Sequence, residues 1–357
     1  HHPEAYQIDD KTAPKWDYVH GLVMTSFEQL YKKTGDEKYF NYIKGYADAC
    51  IDSTGAIPSY KFKDYNIDMI EAGNILFNLY DTTQDEKYLK AMQLLRKQLS
   101  EHPRTTEGGF WHKKRYPSQM WLDGLYMAEP FHVNYANEYL RDEAKKQKIY
   151  DDVVLQFSLI QKHSRDSKTG LLYHGWDESK EQLWANKQTG NSANFWSRGM
   201  GWYGMALVDV LDFLPKNHPG RAQIVNYLEQ FATAIVKVQD DSGLWWQVLD
   251  QGNREGNYLE ATGTSMFVYT LAKAANKGYL PKSYLEIANK GYNALIENLI
   301  TVEENGLVNL NKCCGVAGLG GNPYRDGSFE YYMSEKIKVD NSHGLGAFLL
   351  AAIELDK

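Results

Sequence analysis

Six times along the 357-residue chain a polar or aromatic cluster opens a stretch that is then apolar or small on almost every face. The openings are Trp16-Asp17-Tyr18, Ile67-Asp68, Trp121-Leu122-Asp123, Trp196-Ser197-Arg198 with Trp202, Glu260-Ala261-Thr262, and Asp340 to His343. They lead into runs such as Gly73-Asn74-Ile75-Leu76-Phe77, Gly204-Met205-Ala206-Leu207-Val208 and Gly344-Leu345-Gly346-Ala347-Phe348-Leu349. A helix that is apolar all round leaves no face for water, so these runs are expected to be buried helices. Between them lie segments with a single apolar stripe at helical spacing, among them Tyr39, Ile43, Tyr46 and Cys50, then Leu89, Met92, Leu95 and Leu99, then Val153, Phe157 and Ile160. Ile224, Leu228, Phe231, Ile235 and Val238 repeat the stripe, and Tyr284, Ile287, Leu295 and Leu299 do so more loosely. Each striped segment ends in a Gly-containing loop, and the hairpin recurs at roughly 55 to 75 residues, a regular period of the kind that marks a repeat architecture.

This alternation predicts an all-α chain, an (α/α)6 barrel of inner and outer helices with the inner helices parallel. An open solenoid is the competing packing, but it exposes one side of every hairpin and would not make six helices apolar all round. The sixth outer helix would fall before Trp16, where only His1 to Lys15 remain, so that helix is expected to be shortened or unwound. No Pro/Ser-rich linker, charge block or low-complexity tract divides the chain. One domain over residues 1–357 is therefore expected, since a ring of repeats can reach this length without splitting.

A net charge of -7 argues against nucleic acid, which needs a basic face, and no run of about 20 apolar residues is available to span a membrane. A small molecule is the better partner. An acidic chain can still bind an anion where an Arg or a helix N-terminus supplies the field. Nine Trp and 26 Tyr make the chain rich in rings, and a Trp-lined cleft suits the apolar faces of sugars, although most of the Tyr residues read as core filling. The three cysteines, Cys50 and the adjacent Cys313 and Cys314, have neither a disulfide framework nor zinc-ligand spacing, so no metal or cofactor is expected. The compartment, bacterial cytoplasm or periplasm, stays open, and a monomer or weak dimer is expected.

Carboxylates at the start of apolar helices are expensive and need a reason. Asp68 and Asp123 are the two best cases; the plain alternative for each is helix capping. Asp123 follows Tyr116-Pro117-Ser118-Gln119-Met120-Trp121, and the loop before it offers His112, Lys113 and Arg115, so an aromatic platform, an acid and cations converge on one rim. A helix N-terminus favours the ionised carboxylate, whereas a second carboxylate close by raises one partner's pKa. Asp68 facing Asp123 across the barrel mouth is thus expected to leave one proton donor. In Phe195-Trp196-Ser197-Arg198-Gly199-Met200-Gly201-Trp202 the glycines permit close approach and Arg198 offers a planar fork for a carboxylate; the alternative is a structural Arg in a tightly packed helix. His174, in Tyr173-His174-Gly175-Trp176-Asp177, lies in a loop with aromatic neighbours.

Together these stretches resemble glycoside hydrolase family 105, the unsaturated rhamnogalacturonyl hydrolases. The likeness is carried by Trp16-Asp17-Tyr18, Asp68, His112-Lys113, Trp121-x-Asp123-Gly124-x-Tyr126-Met127, His174-x-Trp176-Asp177 and Trp196-x-Arg198-Gly199-x-Gly201-Trp202, and continues through Glu260 to Met266 and Tyr324 to Ser328. It implies an (α/α)6 barrel and a metal-free hydrolase whose substrate is an oligosaccharide with a C4=C5 double bond in its terminal uronic acid. It also implies that Asp123 is the general acid and base and Asp68 its partner, with Trp16, Tyr18, His112, Lys113, Trp121, His174, Trp196, Arg198 and Trp202 lining the sugar pocket. Four alternatives stay open: an unsaturated glucuronyl hydrolase acting on other polysaccharide fragments, an ordinary inverting glycosidase, a sugar epimerase that would shuttle protons through histidines, and a helical-repeat interaction protein.

Overall fold

The computed structural model describes residues 2–356; His1 and Lys357, the ends of the expected domain, lie outside them. Five helical hairpins follow one another. The first joins α1 (Tyr18–Thr34) to α2 (Glu37–Cys50). The second has an inner segment built of α3 (Asp68–Glu71), a 3-10 turn (Ala72–Asn74) and α4 (Ile75–Thr83), followed by the outer α5 (Glu86–Glu101). Then come α6 (Leu122–Tyr139) with α7 (Glu143–Ser164), α8 (Ser197–Phe213) with α9 (Arg221–Val236), and α10 (Ala261–Asn276) with α11 (Tyr284–Leu299). A short α12 (Phe329–Ser334) precedes the last inner helix, α13 (Ser342–Leu355). The inner helices pack in chain order, α1 on α3, α3 on α6, α6 on α8, α8 on α10 and α10 on α13, and α13 returns to α1. The ring is closed, an (α/α)6 barrel and not a solenoid.

Where a sixth outer helix would stand there is a six-residue 3-10 segment, Ala5–Asp10, packed on α2. Its neighbouring Asp9 and Asp10 both have positive φ (59° and 57°), a left-handed conformation that cannot continue a right-handed helix. The second inner helix is also not the uninterrupted run its composition predicts. It tightens to 3-10 geometry around Gly73, where an added Cβ would lie 2.6 Å from Leu95 and 2.9 Å from Phe131, so backbone and neighbours are already in contact.

Local chemistry explains the helix starts. Asp36, Asp85 and Asp142 accept backbone N–H groups at the heads of α2, α5 and α7, and Asp17, Glu260 and Asn341 do so for α1, α10 and α13. The heads of α3, α6 and α8 differ: Ile67, Trp121 and Trp196 precede them, and none has a side-chain cap. At the opposite end of the barrel, Lys273 of α10 is held by Asp209 (2.7 Å) and Asp212 (2.6 Å) of α8 beside a cavity of about 330 Å³. The seam between first and last inner helices is tied by Lys33 Nζ to Asp356 (2.5 Å), and Ser342 Oγ donates to Asp9 (2.6 Å).

The loops carry three two-stranded antiparallel ribbons: β1 (Gln119–Trp121) with β2 (Gly175–Asp177), β3 (Ile300–Val302) with β4 (Val308–Leu310), and β5 (Cys313–Cys314) with β6 (Ile337–Lys338). No helix among the described residues is long and apolar enough to cross a membrane.

Candidate active site

Asp68 and Asp123 stand in the first turns of α3 and α6, at the same mouth of the ring, and neither side chain caps its helix. Asp68 is paired with Lys113 Nζ at 2.6 Å and His112 Nε2 at 3.3 Å. Asp123 Oδ2 faces His174 Nε2 at 3.3 Å, and Nδ1 of that ring is 2.8 Å from the hydroxyl of Tyr332 on α12. The ribbon of β1 and β2 is what brings His174 here: Trp121 pairs with Gly175, and Leu122 N–H donates to the His174 carbonyl (3.1 Å). A loop histidine thereby becomes a fully enclosed neighbour of Asp123. The same rim is stiffened by stacked rings, His112 on Trp121 (4.2 Å, 15°) and Trp121 on Tyr116 (5.1 Å, 21°).

The expectation that the two carboxylates press on one another is corrected by their partners. Asp68 is matched by a cation and an imidazole. For Asp123 burial is the largest influence and pushes the carboxyl up, but hydrogen bonding and charge from His174, with His112 behind it, outweigh burial and hold the group below the usual carboxylate range. Burial also pulls the His112 imidazole down to about 4, against the opposing pull of Asp68, so the ring is neutral at neutral pH.

Tyr18 reaches the mouth from α1, half-buried, with its hydroxyl 2.9 Å from His343 Nε2 on α13. The other nitrogen of His343 is 2.7 Å from Asn341 Oδ1, which can only accept, so the tautomer assigned from this network carries its proton on Nδ1 and Nε2 accepts from the Tyr18 hydroxyl. Trp202 forms a floor, stacked on Tyr126 (4.8 Å, 29°) and edge-on to Tyr18 (6.3 Å, 70°).

Three predicted pocket residues are placed differently. Trp16 is wholly buried, its indole N–H donating to the Met69 carbonyl (2.8 Å) and its ring stacked on Tyr46 (6.0 Å, 11°), so it belongs to the wall behind the site. Trp196 packs behind His174 (4.6 Å) and Tyr332 (6.1 Å). Arg198 is 1 % exposed, against 14 % and 15 % for the side chains of Asp123 and Lys113. Its Nη1 donates to the Cys314 carbonyl (2.7 Å) and its guanidinium lies 4.9 Å from the Trp196 ring. Glu260 sits below, its carboxylate taking N–H groups from Thr262 (2.9 Å), Gly263 (2.5 Å) and Cys314 (2.8 Å). One arm of the expected fork is therefore already committed to the protein. Tyr332, Asn341 and His343 escaped the sequence-based choice. The Asn341-Ser342-His343 helix opening was a visible signal for two of them; nothing local marked Tyr332.

Among the described residues no three His, Cys, Asp or Glu side chains converge as a metal-holding group. What the mouth offers is an acid backed by an imidazole, a second acid backed by a cation, rings, and a buried Arg. The family model for glycosyl hydrolase family 88 matches residues 1–357. A family 105 glycoside hydrolase of C. acetobutylicum superposes with a TM-score of 0.94 at 47 % identity, over 98 % of this chain and 97 % of that one. The unsaturated rhamnogalacturonyl hydrolase YesR of Bacillus subtilis is 27 % identical over 299 residues, 82 % of this chain and 78 % of that protein. The unsaturated glucuronyl hydrolase of Bacillus sp. GL1, 12 % identical with a TM-score of 0.71 over 96 % of this chain and 87 % of that one, shares the fold. Family model and fold thus define a glycoside hydrolase. The chain belongs to glycosyl hydrolase family 88, in the family 105 branch of unsaturated uronyl hydrolases.

Proposed function

We propose that this enzyme removes the 4,5-unsaturated uronic acid from the non-reducing end of rhamnogalacturonan fragments left by a polysaccharide lyase. The observation that carries the reading is Asp123, partly open to the mouth and backed by His174 at 3.3 Å, beside the Lys113-paired Asp68. Its likeness to YesR supports the rhamnogalacturonyl choice. The protonated Asp123 carboxyl gives its proton to C4, the C4=C5 electron pair forms the new C–H bond, and oxocarbenium character develops at C5. Water adds at C5 and returns a proton to the Asp123 carboxylate. The hemiketal then opens and releases the aglycone. One group thus serves as acid and then base, unlike the two carboxylates of an ordinary glycosidase.

The deciding experiment follows the ultraviolet absorbance of the conjugated uronide while purified enzyme acts on a panel of lyase digests. Loss of absorbance on unsaturated galacturonyl-rhamnose fragments, well ahead of unsaturated glucuronyl ones, is expected. Sugar release with the absorbance retained would instead indicate an ordinary glycosidase.

Two further outcomes follow from the site. In the free enzyme Asp123 lies below the usual carboxylate range, whereas the anionic substrate carboxylate, once bound beside it, raises its pKa. The alkaline limb of kcat, which reports the complex, should therefore lie at higher pH than that of kcat/KM, which reports the free enzyme. Coincident limbs would show that substrate does not tune Asp123. Arg198→Lys removes the planar fork and is expected to weaken uronide binding by about 1.5 to 3 kcal/mol. Unchanged affinity together with a lowered melting temperature would make Arg198 a structural residue held by the Cys314 carbonyl and the Trp196 face.

A further inference from the structure

Beside Asp68 the rim opens into a second hollow of about 460 Å³, lined by Lys63, Asp64, Asn66, Lys113, Lys114 and Arg115. Its two loops are fastened together: Asn66 bridges Lys113, and Lys114 N–H donates to the Asp64 carbonyl (3.2 Å). Four of the six lining residues are cationic in a chain whose net charge is -7. Lys113 is spoken for by Asp68 at 2.6 Å, but among the described residues Lys63, Lys114 and Arg115 form no ion pair. They rest on rings instead, Lys63 by Phe62 (5.8 Å), Lys114 by Tyr65 (5.8 Å) and Arg115 by Tyr116 (4.9 Å). Four cations gathered around a single lining carboxylate, Asp64, leave an excess of positive charge whose field is concentrated over one small area. That field is joined to the catalytic rim by a continuous ladder: Arg115 lies over Tyr116, Tyr116 on Trp121, and Trp121 on His112, the partner of Asp68.

Resting on the proposed activity, we propose that this hollow is a subsite for an anionic group that the oligosaccharide carries beyond the cleaved bond, a uronate carboxylate or a sulfate ester. The cations suit such a chain, because its charged group can meet Lys63, Lys114 and Arg115 while the buried, mutually stacked rings hold the loop rigid. The hollow would select acidic fragments over neutral ones without touching the reacting atoms. Its contribution acts equally on bound substrate and transition state, so it appears in KM and not in kcat.

The test uses the full chain with Lys114→Ala and Arg115→Ala combined, and Lys63→Ala separately, on three unsaturated substrates. One is a disaccharide with a neutral leaving sugar, one has a sulfate ester on that leaving sugar, and one has a uronate carboxylate on the third sugar. The double variant is expected to raise KM about 3- to 10-fold for whichever charged substrate the hollow takes, as loss of two exposed charge contacts allows. KM for the neutral disaccharide, kcat and the melting temperature should stay unchanged, and the KM ratio should shrink in high salt. The substrate that shows the effect tells carboxylate from sulfate. Equal changes on all three substrates, or none, would overturn the subsite. A wild-type enzyme idle on every substrate would overturn the proposed activity, and the subsite with it.

Discussion

Replacement of Asp123 by Asn is expected to lower turnover of the unsaturated uronide by about two to four orders of magnitude, the usual worth of a general acid. Asn keeps the shape of the side chain and its contact distance to His174, 3.3 Å in the wild type, but has no proton to give to C4. Because the pairing with His174 is lost and not replaced by a clash, the variant should fold, and binding of product should persist. Initial rates by absorbance, set beside product affinity, make the distinction. A variant that keeps more than about a tenth of the wild-type rate would move the proton transfer elsewhere, with Asp68, held 2.6 Å from Lys113, the next group to examine.

The second large effect is on stability and arises at the far end of the barrel. Lys273 lies twelve residues along α10 from Ala261, ~18 Å below the catalytic mouth at the helical rise. Its side chain is 9 % exposed and lies between Asp209 and Asp212. Lys273→Met keeps the stem and deletes the charge, leaving the partly buried Asp209 with only the Tyr269 hydroxyl (2.8 Å), while Asp212 keeps Lys277 (3.2 Å). Breaking such a pair costs about 3 to 5 kcal/mol. For a chain of this size that corresponds to roughly 5–10 °C in melting temperature. Activity per folded molecule at room temperature should be unchanged. Adding Asp209→Asn to Lys273→Met should recover part of the loss, and a single variant that melts within a degree of wild type would show that the pair contributes little.

How much of this was legible beforehand depended on whether a property is local. The six inner helix starts were, because each combines a cap or aromatic opening with a run that no amphipathic helix would have. The observed first residues, Tyr18, Asp68, Leu122, Ser197, Ala261 and Ser342, fall within the predicted openings. The 3-10 tightening at Ala72–Asn74 was not legible, since it answers to Leu95 and Phe131 on other helices. The charge state of Asp123 was misjudged for the same reason: its partner, His174, arrives through the pairing of β1 with β2, and the sequence alone showed only a loop histidine among rings. Trp16 and Trp196 were expected to line the sugar pocket from the family resemblance, yet both are enclosed by protein, Trp16 against Tyr46 and Trp196 against His174 and Tyr332. Tyr332 contributes through a hydrogen bond that spans 158 positions, and no spacing rule reaches that far.

The seam between α13 and α1 has a consequence for how the enzyme comes into being. Tyr18 and His343, hydrogen-bonded at the mouth, are 325 residues apart, and the ring has no inner wall on that side until α13 docks. While the ribosome is still adding the last hairpin, the flank of α10 that α13 will cover, and the matching flank of α1, have only water or a chaperone to face. Closure of contacts so distant in sequence is slow compared with the folding of any single hairpin. No stretch of the ring that stops short of α13 carries both Tyr18 and His343, so the last helix to be made is also the one that completes the wall of the mouth.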